Sequence, residues 1–355
     1  MERIDILAAL SQVSSLRYEH IAHIDLSDGE DYSTTAAWEQ TQGLALGLAS
    51  TLARAVAKHD PVRYAADLKS AQCRVISIGD SEYPSQLLEL YRPPLILYLQ
   101  GTLGSSVTAM SVVGSRKPTP YGRQVVEAFV PPLVASGITV VSGLAQGVDT
   151  LAHVVTLRCG GTTIAVLGSG LDRIYPYANC QLAARVVESG GALISEYSPG
   201  TPPLKHHFPA RNRIVSGLSR GVIVVEGDIH SGSLITAEHA MEQGRDVFAV
   251  PGNIFSPQSR GPNRLIVQGA IPLLEPSNLL EYYGIKTETP PEAQALSVEE
   301  KLIVTALGHE PRDVDEIIQR AGLPVTLVAA KLVELEVAGI VQRQPGGLYI
   351  QLRIG

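Results

Sequence analysis

Cysteine is scarce in this chain of 355 residues, and long apolar runs are absent. The three cysteines, Cys73, Cys159 and Cys180, are odd in number, far apart and without C-x-x-C spacing, which argues against a disulfide framework and against a zinc site. We predict that each is a small hydrophobic residue of the core. No run approaches the roughly 18 apolar residues of a membrane span, and the N-terminus has no basic segment leading into an apolar run. The sequence therefore predicts a cytoplasmic protein without a membrane contact.

Two common nucleotide-binding motifs are also missing. The chain contains no Gly-Lys dipeptide, which excludes the P-loop pattern. GLAQGVD at 143–149 has the wrong glycine spacing for G-x-G-x-x-G, and GSGLDR at 168–173 lacks the third glycine. We therefore expect neither NAD nor ATP, and we predict no cofactor and no metal.

Basic residues are in the minority, 28 against 35 acidic ones, for a net charge of -7. The central residues 101–295 are balanced, with 14 of each sign. Against this background the stretch KHHFPARNRIVSGLSRG at 205–221 contains no Asp or Glu. Its cations are Lys205, Arg211, Arg213 and Arg220. By itself this cluster fits a solvated basic face as well as a site for an anionic partner, so its place in the fold must decide between them.

The central part of the chain alternates short apolar runs with helical patterns. The runs MSVVG, ITVVSG, TTIAVLG, ALISEY, GVIVVEG and DVFAVPG have the β-branched composition of buried parallel strands. The stretches between them have apolar spacing and terminal glycines suited to crossover helices. This pattern predicts an α/β domain over residues 71–285, with a doubly wound, Rossmann-like and mostly parallel sheet.

Ligands of such sheets bind beyond the carboxyl ends of the strands. Gly114-Ser115-Arg116 follows the first predicted strand, Gly143 follows the second, and residues 205–213 connect two later strands. These elements should meet on one rim. A glycine lets the backbone approach a ligand, and Arg116 can donate two hydrogen bonds to a phosphate. The rim therefore has the ingredients of a phosphate site.

Four motifs resemble the DNA processing protein A family, called DprA or Smf. They are GSRKPTPYG at 114–122, SGLAQGVDTLAH at 142–153, KHHFPARNRIVSGLS at 205–219 and SGSLITAEHAMEQGRDVFAVPG at 231–252. The resemblance covers roughly residues 80–285. It implies a bacterial recombination mediator, not an enzyme, which binds single-stranded DNA during natural transformation and helps to load the RecA recombinase. It also implies a homodimer built on the central domain.

The same resemblance implies which residues contact the strand. The Arg of the family's Gly-Ser/Thr-Arg motif and the Lys and Phe of its K-x-x-F motif correspond to Arg116, Lys205 and Phe208. Arg and Lys match phosphate charge, and a Phe ring offers a face on which an unpaired base can stack. The remaining candidate DNA contacts are Gly114, Ser115, Gly143, Arg211, Asn212, Arg213, Ser231, Gly232 and Ser233.

These candidates differ in what we expect of them. We expect Arg211 to contact a phosphate. Arg213 and Asn212 fit two roles equally well, DNA contact or support of the loop through carboxylates and carbonyls. His206 and His207 lack partners at metal-ligand spacing and are expected to be solvated or hydrogen-bonded.

The stretch SGSLITAEHAMEQG at 231–244 also fits an enzyme. Ser231-Gly232-Ser233 could bind a phosphate at a helix start, and Glu238 could act as an acid or base, as in the broadly similar Gly-Thr-x-x-Glu arrangement of phosphoribohydrolase-like proteins. Cleavage of a nucleotide would require a second acid or base near Glu238. The candidates are Asp149, Glu196 and Glu226. A capped helix with a salt-bridged Glu238 explains the stretch too.

The flanks predict separate modules. Residues 1–70 have helical apolar spacing and predict a small helical domain, and residues 286–295 are rich in Pro and Glu and predict a linker. Residues 296–355 predict a winged helix, with 325–337 as its recognition helix. That helix carries Lys331 beside two glutamates, too little positive charge for repeated phosphate contacts, so a protein-contact or regulatory module is expected.

Overall fold

The computed structural model describes residues 1–13, 16, 18–21, 26, 31–39, 46–104, 108–285, 296–308, 311–338, 340–344 and 346–351. The helices are α1 Arg3–Ser11, α2 Thr35–Glu39, α3 Leu46–Lys58, α4 Pro61–Ser70, α5 Pro120–Ala135, α6 Val148–Arg158, α7 Cys180–Glu188, α8 His207–Gly217, α9 Gly232–Glu242, α10 Arg260–Val267, α11 Pro276–Tyr282, α12 Val298–Leu307, α13 Val314–Ala321 and α14 Val325–Val337. The strands are β1 Arg74–Ser77, β2 Ile96–Gly101, β3 Ala109–Val113, β4 Thr139–Ser142, β5 Thr163–Leu167, β6 Ala192–Ser195, β7 Gly221–Val224, β8 Asp246–Ala249, β9 Ile271–Pro272, β10 Val341–Arg343 and β11 Tyr349–Gln351.

A nine-stranded sheet forms the centre of the molecule, in the order β1-β2-β6-β5-β4-β3-β7-β8-β9. Strands β3 to β9 pair in parallel, and β1 and β2 extend the β6 edge as antiparallel strands. The six strands predicted from apolar runs are β3 to β8, and the doubly wound α/β class is confirmed. The strand order reverses at β3, which has β4 on one side and β7 on the other. This is the switch point at which open α/β sheets bind ligands.

Helices cover both faces of the sheet, which is why its parallel strands are apolar along their length. One buried cluster includes Val130, Val148 and Phe248. The other includes Leu97 and Ile194. Each is a continuous apolar layer, so the carboxyl ends of the strands rest on a packed scaffold.

The N-terminal helices belong to the second of these clusters. Ile6 of α1 and Leu52 of α3 are fully buried in the cluster that holds Leu97 of β2. Tyr64 of α4 donates a hydrogen bond to the hydroxyl of Tyr98 at 3.2 Å. The helices of this region agree with the prediction from the sequence, but they share a hydrophobic core with the sheet. The domain boundary near residue 70 stays a prediction.

The C-terminal residues form three helices, α12 to α14, and the β10-β11 hairpin around a core of their own. Ser297 starts α12 with a capping box: its hydroxyl accepts from the Glu300 N–H, and the Glu300 carboxylate accepts from the Ser297 N–H. The winged helix predicted here is confirmed. The predicted linker at 286–295 lies outside the described residues.

The cysteines differ from expectation. Cys159 is exposed at the end of α6, and Cys73 and Cys180 are only partly buried. Cys73 packs against the core, and burial raises the pKa of its thiol to about 11. The prediction of three core cysteines was wrong for Cys159, because the residue caps the end of α6, where Arg158 and Gly160 on either side are exposed as well. No helix within the described ranges is long and apolar enough to cross a bilayer.

Candidate nucleic-acid interface

A cleft opens at the carboxyl edge of the sheet, close to the switch point. Its walls come from the loops that follow β3, β4 and β5 and from the first turns of α8. Arg116, Gly143, Phe208 and Arg211 line it, so the cleft brings together four of the residues singled out from the sequence. Sequence segments about 90 residues apart meet here because parallel strands end on the same edge.

The loop after β3 presents Arg116 to solvent. Ser115 beside it is buried, and its hydroxyl accepts a hydrogen bond from the Lys117 N–H at 3.1 Å. Gly147 approaches this loop so closely that a Cβ there would lie 2.2 Å from the Ser115 carbonyl oxygen. Gly147 also has a φ of +87°, a conformation that glycine adopts without strain. Ser115 and Gly147 therefore hold the backbone from which Arg116 projects. The role of Gly114 and Ser115 as DNA contacts stays a prediction.

Glu226 fixes the far end of the same loop. Its buried carboxylate, at the end of β7, accepts hydrogen bonds from the Thr119 N–H at 2.9 Å and from the Thr119 hydroxyl. Thr119 in turn caps α5 by accepting from the Gly122 N–H. A Cβ at Gly122 would lie 2.3 Å from the Glu226 carboxylate, so the contact requires glycine. Glu226 thus couples the two strands that flank the switch point.

Phe208 lies in the first turn of α8 and is half-buried in the cleft. The Arg116 guanidinium carbon lies 6.0 Å from the centroid of its ring, at the outer limit of a cation–π contact. Gly168 makes room for the ring, since a Cβ at that position would lie 3.1 Å from it. Lys205 is exposed three residues earlier. The structure therefore places Arg116 and Phe208 together, with Lys205 on the segment that enters α8.

Arg211 differs from expectation, because its guanidinium turns inward. The residue is only 4% exposed, and it donates hydrogen bonds to the carbonyls of Gly143, at 2.8 Å, and Val166. The buried Asp149 carboxylate accepts from the Gly143 N–H at 3.1 Å. The carbonyl and the N–H of Gly143 are thus each hydrogen-bonded to a buried charged side chain. A Cβ at Gly143 would lie 2.6 Å from Arg211 Nη2 and 2.8 Å from Asp149 Oδ2.

Burial governs the electrostatics beneath the cleft. It lowers the pKa of Arg211 to about 10, and it raises the pKa of Asp149 against the opposing effects of Arg211 and the Gly143 N–H. A phosphate contact was expected of Arg211. Instead, the side chain forms the floor of the cleft, because the carbonyls of Gly143 and Val166 and the buried Asp149 carboxylate already surround its guanidinium.

Asn212 and Arg213 brace the surrounding structure, one of the two roles predicted for them. Arg213 donates to the Glu196 carboxylate at 2.5 Å. Asn212 Nδ2 donates to the Gly232 carbonyl at 3.1 Å. These bonds tie α8 to the end of β6 and to the start of α9.

Ser231, Gly232 and Ser233 form the start of α9. The Ser231 hydroxyl caps the helix by accepting from the Ser233 N–H at 3.4 Å, and the two serine hydroxyls lie 2.9 Å apart. Ser233 is buried, and Gly232 is exposed. Their role as DNA contacts stays a prediction.

His206 and His207 separate in the fold. His206 is exposed, whereas His207 is buried and stacks on Tyr197 with ring centroids 3.9 Å apart. His207 Nδ1 lies 3.2 Å from the Gly168 carbonyl oxygen and donates to it, since a carbonyl only accepts. Burial, followed by the neighbouring His206, lowers the His207 pKa.

The acidic residues considered for catalysis are engaged elsewhere. Asp149 and Glu226 hold backbone N–H groups in the interior, and Glu196 pairs with Arg213. Glu238 is exposed on α9. The arrangement supports the loops of the cleft, and it offers Glu238 no partner poised for acid–base chemistry among these three.

Tyr175 was not singled out from the sequence, although it lines the cleft. Its ring centroid lies 5.5 Å from that of Phe208. It belongs to the loop between β5 and α7, which the glycine pattern marked only as a strand end. The signal that could have found it is the pair of tyrosines, YPY, on a loop at the ligand-binding edge.

The fold and site define a doubly wound α/β protein with a basic and aromatic cleft at its switch point, followed by a winged helix. A family model described as DNA recombination-mediator protein A matches residues 74–284, and one described as DprA winged helix domain matches residues 287–347. Protein Smf of Escherichia coli is 44% identical over 287 residues, which cover 78% of this chain and 76% of that protein. The chain belongs to the DNA processing protein A (DprA/Smf) family, a family of recombination-related DNA-processing proteins.

Solved structures of two relatives share this fold. The X-ray structure of DNA processing protein A from Streptococcus pneumoniae is 37% identical, with a TM-score of 0.64 over 79% of this chain and 97% of that one. The Helicobacter pylori protein, whose structure concerns its single-stranded DNA binding mode, is 30% identical, with a TM-score of 0.54 over 60% of this chain and 97% of that one.

Proposed function

We propose that this chain is a cytoplasmic, single-stranded DNA-binding recombination mediator and that its cleft holds the strand. The observation that carries the proposal is the placement of an exposed Arg116 over the Phe208 ring at the switch point. Two of the three side chains implied by the family motifs, Arg116 and Phe208, thus lie close together, and Lys205 is exposed three residues before Phe208. The single-stranded DNA binding described for the H. pylori relative supports the same reading.

The chemistry of the cleft favours unpaired over paired DNA. Arg116 and Lys205 neutralise phosphates, which supplies the salt-dependent part of the affinity. The Phe208 ring offers a face for a nucleobase, a contact worth about 1–3 kcal/mol by alanine substitution. In a duplex, the base faces are already stacked on one another, so the ring gains nothing from them.

Titration of labelled oligonucleotides at several salt concentrations tests this proposal. We expect Arg116→Ala and Lys205→Ala each to weaken single-strand binding and to lower the slope of log K against log[salt] by about 0.7, the value for one phosphate on a single strand. Arg63→Ala is the matched control, since Arg63 is an exposed arginine of α4, in the N-terminal helical region. Unchanged affinity and slope in both cleft variants would contradict the proposal.

Phe208→Ala tests the stacking contact separately. It should weaken binding without changing the salt slope, because stacking neutralises no phosphate, and Phe208→Tyr should restore most of the affinity. Loss of affinity in the tyrosine variant equal to that in the alanine variant would argue for a packing role.

We further propose that bound strands are handed to RecA. A mediator must hold a strand without burying it, and the exposed positions of Arg116 and Lys205 meet that need. The test measures RecA-dependent ATP hydrolysis on strands precoated with a single-strand-binding protein. The protein should shorten the lag, and Arg116→Ala should not; an equal lag with and without the native protein would rule out the loading role.

A homodimer through the β9 edge is proposed as the assembly. Large apolar side chains are exposed around this edge: Ile254, Phe255, Val267 and Leu274. Exposed sheet edges and apolar patches are sites of association. Light scattering should show a dimer that Phe255→Glu with Leu274→Glu converts to a monomer, while the control Val62→Glu on α4 does not. A monomeric native protein would contradict this.

The C-terminal module is proposed to contact a protein. Lys331, the cation of α14, lies 3.1 Å from the Glu300 carboxylate and 2.7 Å from that of Glu334. Its charge is therefore engaged, and phosphate neutralisation is what holds proteins on DNA. We also propose the division of the chain predicted from the sequence: a helical domain at 1–70, the α/β domain at 71–285, a linker at 286–295 and the winged helix at 296–355.

A further inference from the structure

Two tyrosines lie on the loop between β5 and α7 without a place in the core. Tyr175 is 49% exposed, and Tyr177 is 85% exposed. Neither belongs to an apolar cluster of the described residues. Two large rings exposed two residues apart on one loop offer apolar surface to a ligand.

The rings are not needed to shape the loop, because polar contacts already do so. The Ser169 hydroxyl donates to the Arg173 carbonyl at 2.7 Å, and Asp172 accepts from the Gly200 N–H at 2.8 Å. At the end of the loop, Asn179 Nδ2 donates to the Leu144 carbonyl and to the Thr150 hydroxyl, both at 2.8 Å. The loop is therefore a pre-formed platform on which the two tyrosines can change identity without loss of structure.

The platform continues the cleft. Tyr175 lines the cleft beside Phe208, with ring centroids 5.5 Å apart and planes tilted by 51°. Tyr177 follows two residues later, and two residues span at most about 7 Å of extended chain. A strand whose base meets Phe208 thus has further aromatic faces within reach as it leaves the cleft.

We propose that Tyr175 and Tyr177 are additional nucleobase-stacking positions, so that Phe208, Tyr175 and Tyr177 form one aromatic strip for consecutive unpaired bases. Stacking suits any base because every base has a π face, so the strip adds affinity and length without sequence preference. This inference rests on the proposed single-strand binding. It adds the path of the bound DNA strand, which would run from the switch point toward the β5-α7 loop.

The test compares Tyr175→Ala and Tyr177→Ala with the native protein on oligothymidylates of increasing length. Each variant should bind long oligonucleotides about fivefold or more weakly, the lower end of the range for loss of one stacked base. The loss of affinity caused by Tyr177→Ala should disappear when the oligonucleotide is too short to extend beyond the cleft. The salt slope should not change in either variant, because no phosphate contact is removed.

Tyr175→Phe and Tyr177→Phe keep the ring and should bind like the native protein. A loss in the Phe variants equal to that in the Ala variants would assign the effect to the hydroxyl groups and overturn the stacking inference. Tyr91→Ala, an exposed tyrosine before β2, is the control for general surface effects. If the native protein binds single strands and the two Ala variants bind them equally well, this inference alone is overturned. If the native protein binds no single strand, the proposed function is overturned with it.

Discussion

Replacement of Arg211 tests whether this residue contacts DNA or only positions the loops of the proposed site. The sequence presents Arg211 as one cation among four, whereas the structure buries it beneath the cleft, where it donates to the Gly143 carbonyl at 2.8 Å. We predict that Arg211→Gln weakens single-strand binding because the Gly143 loop loses its anchor. Unlike Arg116→Ala, it should leave the salt slope unchanged, since no phosphate contact is lost.

The cost to folding follows from the buried charges. Removal of Arg211 leaves the Asp149 carboxylate buried without the cation that opposes its high pKa. Breaking a buried charge pair from one side costs about 3–5 kcal/mol. The double variant Arg211→Gln with Asp149→Asn removes both charges and keeps amide groups that can hold the Gly143 peptide. It should be more stable than Arg211→Gln alone, with a coupling of about 0.5–3 kcal/mol.

Two measurements check this reasoning. Denaturant unfolding of the native protein, both single variants and the double variant gives the coupling free energy. Salt-dependent binding then compares Arg211→Gln and the double variant with Arg116→Ala. A fall of the slope by about 0.7 in the Arg211 variants would show a direct phosphate contact and refute the positioning role.

Three further predictions concern other parts of the chain. Burial, with a smaller contribution from Arg211, lowers the pKa of His153 to about 3. In the unfolded chain the pKa of a histidine is about 6.5, so between pH 6.5 and 3 the unfolded state binds a proton on His153 that the folded state does not bind. The free energy of unfolding should therefore fall by up to about 1.4 kcal/mol per pH unit as the pH is lowered from 6.5 toward 3. His153→Asn should flatten this fall in denaturant unfolding from pH 4 to 8, and an unchanged profile would assign the acid sensitivity to other groups. Glu238→Gln should leave single-strand affinity unchanged; release of free base from nucleoside monophosphates by the native protein, lost in this variant, would instead show a hydrolase. A chain ending at Pro290 should keep its single-strand affinity within about tenfold, roughly 1.4 kcal/mol, and a larger loss would show that the winged helix binds DNA.

The tautomer of His153 follows from its partners. The Thr163 hydroxyl donates to the Val140 carbonyl at 2.7 Å, so His153 Nδ1, 2.7 Å from that hydroxyl oxygen, must be the donor to it. Nε2 is then an unprotonated nitrogen with no hydrogen-bond partner within the described part of the chain. A second proton there would be buried without an acceptor, which is the physical reason for the low pKa.

The sequence by itself determined the strands of the sheet, its doubly wound class and the winged helix. Strands buried on both faces need apolar residues along their whole length, so β3 to β8 could be identified from composition alone. Their carboxyl ends share one edge whatever the details of packing, which placed Arg116 and Phe208 near each other. Local capping chemistry is equally visible, as at Ser297 and Glu300.

Only the tertiary structure decided which way the side chains of that edge point. Arg211 and Arg213 are two residues apart and chemically identical, yet Arg211 supports the cleft floor and Arg213 pairs with Glu196. Their partners follow two different strands, β4 and β6. The N-terminal helices share the core of the sheet because their buried side chains pack against β2, a contact that the sequence does not reveal. Tyr175 reaches Phe208 through a loop, whose path no apolar periodicity encodes. Charge and aromatic residues can be counted along a chain, but burial depends on which distant segments pack together. Burial separates a residue that supports the cleft from one that is exposed in it.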